Sequence, residues 1–244
     1  MIDLHAHLLP GVDDGPATLD ETKEMCRLAA ADGVEAVVVT PHQRHELWPD
    51  VERSALEALF GEVREVCGEL NLALGAEIRV DSELLGEVDR LPGGELLPLA
   101  GSRYLLLEFP SVMPTVEPRS LVHELVIAGW HPVLSHPERI PWMAEDPLLL
   151  EALVERGAFL QLTAMSVTGE LGRGPLECAV SLLDGDLAHF VSSDAHDPHL
   201  RPPRLSGAYR EIVERWGEER AQRLTVLNPT AVLENRPLAR HNAH

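Results

Sequence analysis

The sequence predicts an α/β chain whose parallel strands close into a barrel, and three observations carry that prediction. Short apolar runs bounded by turns alternate about seven times with longer segments of helical period. The alternation fills the chain, with no Pro/Ser-rich linker and no shift of composition. His, Asp or Glu also recurs at the C-terminal end of one strand after another. Repeated βα units imply a parallel sheet, and about seven of them favour closure over an open sheet. The expected organisation is a single domain over residues 1–244.

Ile2–His7 reads as the first strand, and Leu19–Ala31 as a helix with Met25, Leu28 and Ala29 on one face. Glu35–Thr40 is short, β-branched and nearly uncharged, as a strand buried on both faces should be. In the helix Val51–Leu70, the residues Leu56, Leu59, Phe60, Val63 and Val66 recur at three- and four-residue steps. Leu72–Ile78 is the third strand, Ser82–Leu91 a short helix and Tyr104–Phe109 the fourth strand. The helix Ser120–Ala128 stops at Gly129. Strands His131–Ser135, Ala158–Thr163 and His189–Ser193 alternate with helices Pro147–Arg156 and Pro175–Leu183. Helices Arg204–Trp216 and Glu218–Leu224 follow, and Asn228-Pro229-Thr230 reads as the cap of a last short helix.

Composition narrows the function. The 244 residues include 40 Asp and Glu against 20 Lys and Arg, a formal net charge of -20. Hydrophobic residues make up 45%, enough to fill a core and to exclude a disordered acidic chain. So acidic a protein is not expected to wrap nucleic acid or to dock on an anionic membrane. No run approaches the roughly 18 apolar residues of a membrane span, and no membrane insertion is expected. The N-terminus lacks the basic start and apolar run of a signal peptide. Cys26, Cys67 and Cys178 are odd in number and widely spaced, which reads as reduced thiols in a cytoplasmic protein. Oligomeric state is not legible.

The strand ends are the informative positions. His5 and His7 end the first strand, His42 follows the second, and Glu77 ends the third. Glu108 ends the fourth, His136 follows the fifth, and Asp194 with His196 follows the last. In a parallel barrel these ends meet on one face, where active sites are built, and Asp14 joins them from the first loop. Any one of these residues has a bland reading as a turn or a chance histidine pair. Glu108 after Tyr104-Leu105-Leu106-Leu107 is more pointed, because a carboxylate in an apolar strand must be paired or bound to metal. Imidazole and carboxylate without thiolate suit Mn²⁺, Fe²⁺ or Zn²⁺ in an open site. Nine such groups exceed the needs of one ion, so two or three ions sharing a bridging carboxylate is the natural expectation.

Taken together, Asp3-Leu4-His5-Ala6-His7, Pro10-Gly11-Val12-Asp13-Asp14-Gly15, Thr40-Pro41-His42, Glu77, Glu108-Phe109-Pro110, His136-Pro137-Glu138-Arg139, Ser193-Asp194-Ala195-His196 and Arg201-Pro202-Pro203 resemble the polymerase-and-histidinol-phosphatase (PHP) superfamily. Within it, the chain is similar to the bacterial capsule-biosynthesis protein-tyrosine phosphatases. The resemblance implies a distorted (β/α)7 TIM-like barrel of the PHP type holding three divalent ions, with Mn²⁺ foremost. By position, the first ion takes His5, His7, Glu77 and Asp194. The second shares Glu77 and adds Glu108 and His136, and the third takes Asp14, His42 and His196. Arg139 and Arg201 match the arginines that hold the phosphate. Gln43-Arg44-His45 departs from the His-rich version of that segment in many relatives.

The reaction these features imply is hydrolysis of phosphotyrosine on protein, with a hydroxide held between two ions attacking phosphorus in line. Asp13, Glu138 or a bound water is the candidate proton donor to the tyrosyl leaving group. The resemblance names the phosphorylated tail of a bacterial tyrosine kinase controlling capsular or exopolysaccharide export as the substrate. Trp48 and Trp142 are candidates to stack on the phenyl ring, against a competing role in packing. A cysteine phosphatase needs Arg six positions after its Cys. Here those positions are Asp32, Ala73 and Asp184. The alternatives are a phosphomonoesterase of the histidinol-phosphatase type, a nuclease, and a catalytically silent regulatory metal-binding module.

Overall fold

The computed structural model describes residues 1–238 apart from positions 49, 69 and 92. The chain opens with β1 (Ile2–Ala6), α1 (Leu19–Ala31), β2 (Ala36–Val39) and a two-residue β3 (His42–Gln43). There follow α2 (Arg53–Val66), β4 (Asn71–Leu74), β5 (Glu77–Arg79), α3 (Leu84–Val88), β6 (Tyr104–Glu108) and α4 (Pro118–Ile127). Next come β7 (His131–Ser135), α5 (Pro141–Ala144), α6 (Pro147–Glu155), β8 (Phe159–Thr163), α7 (Ala164–Val167) and α8 (Arg173–Asp184). The chain ends with β9 (Ala188–Ser192), α9 (Ser206–Trp216), α10 (Glu218–Gln222), a π-helical turn at Arg223–Leu227 and α11 (Asn228–Leu233).

Every strand pair is parallel, in the orders β1-β2-β4 and β3-β5-β6-β7-β8-β9. The two sheets are one barrel. The Gly75 amide donates to Val39 O at 2.9 Å and the Glu77 amide to Pro41 O at 3.1 Å, so the ladder runs on across the break. At the other seam Ala6 bridges Ala195, the His7 amide donates to Ala195 O, and the Asp194 amide donates to His5 O. β2 with β3, and β4 with β5, are thus two broken strands, and the closed ring has seven.

The expected third strand, Leu72–Ile78, is therefore interrupted. A Cβ on Gly75 would stand 3.0 Å from the Leu99 backbone and 3.1 Å from Val38 Cγ1. Only glycine allows this close approach, and the chain steps sideways there before resuming as β5. The second strand is broken at Thr40-Pro41, where proline has no N–H for the ladder. The short helices α5 and α7 are additions to the sequence reading.

Two apolar layers hold the barrel. The larger packs the outward faces of the strands against the helices, through residues such as Val37, Leu105, Leu134, Leu160, Met25, Leu125 and Ile212. The smaller fills the lower interior with Leu4, Val38, Tyr104, Leu106, Val133, Phe159 and Phe190. Val232 of α11 closes it from below, and the Tyr104 hydroxyl donates to Arg236 O at 2.8 Å. Side chains alternate along a strand, so the inward row of β6 runs Tyr104, Leu106, Glu108. The apolar floor gives way to a carboxylate at the open end. Among the described residues no helix is long and apolar enough to cross a membrane.

Candidate metal centre and active site

The candidate ligands come from the strands and the loops at the open end of the barrel. β1 supplies His5 and leads into His7. The following loop turns back at Gly15, where a Cβ would stand 2.9 Å from Asp13 Oδ1 and 3.0 Å from His7 Cβ, and so presents Asp13 and Asp14. β3 carries His42, β5 begins at Glu77 and β6 ends at Glu108. His136 follows β7 with φ +35° and Asp194 follows β9 with φ +53°. Both are left-handed conformations that side chains with a Cβ rarely adopt, which is common where a site over-determines the backbone.

Neighbouring polar groups set which ring nitrogen each histidine offers. His5 Nδ1 lies 2.9 Å from Gln161 Oε1, and His7 Nδ1 lies 2.8 Å from Asp13 Oδ2. His196 Nδ1 lies 2.9 Å from its neighbour's carbonyl, Asp194 O. In each case Nε2 is turned to the centre. Asp13 also accepts from the amides of His42 and Gly15 at 2.9 Å. Burial opposes its charge, but His7 and these amides outweigh that and lower its pKa to about 2. These contacts make Asp13 an orienting group for the His7 ring. Glu138, the other protein candidate for proton donation, is buried and accepts from the Thr163 amide and the Ser166 hydroxyl.

The centre divides into three overlapping groups, in each of which one atom per residue lies within 4.8 Å of the others. They are His5, His7, Glu77 and Asp194; His7, Asp14, His42 and His196; and His42, Glu77 and Glu108. The first matches the set expected for the first ion, and the second is the expected third set with His7 added. His136 stands beside the remaining group, its Nε2 3.0 Å from Glu77 Oε1. Glu77 therefore faces four imidazoles: His5 at 3.3 Å, His7 at 3.5 Å, His42 at 3.2 Å and His136 at 3.0 Å.

These approaches leave several of the atoms unsatisfied. His42 Nδ1, Glu77 Oε1, Glu108 Oε2 and His136 Nδ1 are buried and have no hydrogen-bond partner. Burial would raise the pKa of Glu77, but His5 and His136 hold it well below the carboxylate range. Burial and the charge of Glu77 push Glu108 up. Crowded carboxylates with lone pairs aimed at a common space are what a cation relieves. With imidazole and carboxylate as the donors, the residues fit hard or borderline divalent ions.

Arg139 and Arg201 both donate to Asp194 Oδ2, Arg201 at 2.5 Å. They line the same cavity of about 170 Å³ as Asp14, His42, Glu77, Glu108, His136, Asp194 and His196. His45, Leu47 and Trp48 complete its wall. The atypical Gln43-Arg44-His45 segment thus splits. Gln43 binds the backbone at Glu95 and Leu97, Arg44 turns to Asp81 at 2.5 Å, and only His45 faces the cavity. Trp142 is not among the lining residues; its indole donates to Pro110 O at 2.9 Å and packs edge-on to Phe109. Among the described residues no cysteine lines the cavity; Cys26 and Cys67 are buried in the outer core.

Sequence reasoning missed His45, Arg79 and Gln161. Arg79 lies 2.9 Å from Glu108 Oε1 and 3.0 Å from Glu46. A charged residue one turn of the pleat beyond Glu77, in Glu77-Ile78-Arg79, was the available signal for Arg79. A glutamine inside the apolar strand Phe159–Thr163 was the signal for Gln161.

The family described as Capsular polysaccharide synthesis, CpsB/CapC, matches residues 1–234. Tyrosine-protein phosphatase YwqE of Bacillus subtilis (strain 168) is 33% identical over 244 residues, covering 98% of this chain and 94% of that protein. Tyrosine-protein phosphatase CpsB of Streptococcus pneumoniae is 31% identical, covering 96% of this chain and 98% of that protein. A chain from the crystal structures of YwqE and CpsB, described as unique metal-dependent tyrosine phosphatases, superposes with a TM-score of 0.89 at 32% identity. That match covers 99% of this chain and 97% of the other. The chain belongs to the CpsB/CapC family of capsular polysaccharide synthesis.

Proposed function

We propose that this chain is a metal-dependent protein-tyrosine phosphatase acting in the cytoplasm on a phosphorylated bacterial tyrosine kinase in capsule or exopolysaccharide synthesis, with residues 1–244 as one domain. The observation that carries the reading is the three overlapping ligand groups, with their unpartnered buried donor atoms, at the open end of a barrel shared with named phosphatases. His5, His7, Asp14, His42, Glu77, Glu108, His136, Asp194 and His196 hold three divalent ions, with Mn²⁺ as the native metal. When bound, such ions lower the pKa of water and neutralise phosphoryl oxygens.

The protein's own groups then do the following. Gln161 and Asp13 hold His5 and His7 in the orientation that points Nε2 inward. Arg139 and Arg201, which share Asp194 Oδ2, present two guanidinium groups to an incoming phosphate and orient it by paired N–H donation. Leu47 and Trp48 supply an apolar and aromatic wall for the phenyl ring. No thiol is placed to attack, so the cysteines take no part in the chemistry.

Assay of the purified protein with Mn²⁺, Fe²⁺ or Zn²⁺ on a phosphotyrosine peptide, histidinol phosphate and a single-stranded oligonucleotide tests the reading. Fastest turnover of the peptide, greatest with Mn²⁺ and abolished by a chelator, is expected. Preference for either other substrate, or metal binding without turnover of any, overturns it.

A further inference from the structure

A second and larger cavity, of about 440 Å³, lies beside the metal centre. It is walled by the end of α1, by α7 with the segment after it, and by the start of α9. Two arginines, Arg204 and Arg210, line it, and both are exposed. Among the described residues, every other arginine side chain has a hydrogen bond, an ion pair or a ring to rest on. Arg204 and Arg210 have none. In a chain of net charge -20, acidic partners are abundant, yet these two guanidinium groups are left without one.

The acids that line the cavity are already engaged. Asp32 accepts from the amides of Leu205 and Ser206 at 2.7 and 2.8 Å and from the Ser206 hydroxyl at 2.6 Å. Glu170 accepts from the Thr168 hydroxyl at 2.7 Å. Asp32 thus fixes the start of α9, and with it the backbone that carries both arginines, while its oxygens are spent on that task.

The cavity is also coupled in space to the metal centre. Arg201 lines the metal cavity, while Pro202 and Arg204 line the larger one. Three residue steps span at most about 11 Å, so the backbone at Arg201 and at Arg204 lies within the reach of one short peptide. We propose that the larger cavity docks acidic side chains that lie three to five residues from the phosphotyrosine of the protein substrate. This rests on the phosphatase reading above and names the substrate sequence that it selects. The net charge of -20 disfavours an acidic peptide in general, which makes the two free arginines a selective landing point.

The test uses the full chain with Mn²⁺ and the double variant Arg204→Glu/Arg210→Glu. Three substrates are compared: p-nitrophenyl phosphate, a phosphotyrosine peptide with flanking Asp and Glu, and the same peptide with Asn and Gln. The wild type is expected to show a KM roughly tenfold lower for the acidic peptide, as two charge-assisted contacts allow. The double variant loses that preference while keeping kcat and its turnover of p-nitrophenyl phosphate, which also reports that it is folded. Arg204→Lys/Arg210→Lys keeps most of the preference. Equal KM for the two peptides in the wild type, or an unchanged preference in the charge-reversed variant, overturns the proposal. Failure of the phosphatase reading shows separately, as absence of turnover on all three substrates. In that event, fluorescence anisotropy of the unphosphorylated acidic peptide still decides. Binding by the wild type that is lost on charge reversal upholds the docking site, and absence of binding overturns it.

Discussion

Within the barrel, Tyr104 and Leu106 of β6 and Phe159 of β8 fill the lower interior, while Glu108 and Gln161 take the next inward positions on the same strands. Phe190 of β9 belongs to the lower layer, and Asp194 stands just past the end of that strand. One backbone thus serves two interiors that obey opposite physics. The lower one gains free energy by excluding water from apolar area. The upper one crowds buried carboxylates and imidazoles, an arrangement that opposes folding until cations and arginines balance it. The floor stabilises the fold, and the upper end spends part of that stability on chemistry. Damage to either should leave the other readable.

The largest expected effect is at the upper end. Glu77→Gln removes the one carboxylate that faces His5, His7, His42 and His136 together. It is expected to lower kcat/KM on a phosphotyrosine peptide by about four orders of magnitude, about 5.5 kcal/mol of transition-state stabilisation. Circular dichroism should show the fold retained, and metal analysis should show fewer bound ions. Near-normal turnover would remove Glu77 from the centre and erase the distinction between the two interiors.

Next is the floor. Phe190→Ala is expected to destabilise by about 3–5 kcal/mol. For a chain of this size that is roughly 10 °C in Tm. Activity at a temperature where the variant is folded should stay within a few-fold of wild type. A large loss of kcat with Tm unchanged would show that the floor acts on the site directly.

The smallest effect sharpens the boundary between ligands and their supports. Asp13→Asn keeps the shape but weakens the acceptor at His7 Nδ1. Loss of such a support lowers metal affinity or activity by about 10–100-fold. Excess Mn²⁺ should restore much of it, whereas it should not rescue Glu77→Gln. Equal resistance of both variants to added metal would place Asp13 among the groups in direct contact with the ions.

What was legible in the sequence follows the same division. The strands were readable because residues such as those of Glu35–Thr40 have no other stable place than a doubly covered sheet. The candidate ligands were readable because Glu108 in a leucine-rich strand, or His at successive strand ends, violates the pattern around it. The supports were not. Gln161 stands out in its apolar strand and Asp13 in its acidic turn, but the histidine each one orients is known only from the fold, His5 lying 156 residues before Gln161. The interruption at Gly75 was equally hidden, since it depends on how close Leu99 and Val38 come. The free arginines at the larger cavity could only be found by accounting for the partners of all the others.

His136 and Asp194 stand in left-handed backbone conformations, which cost a typical L residue roughly 1–2 kcal/mol and which Asp and His tolerate better than most. A β-branched residue placed at either corner would meet the full steric cost of the conformation, so His136→Val carries a backbone penalty on top of the lost donor atom. The two corners thus narrow the choice of side chain before any ligand is considered.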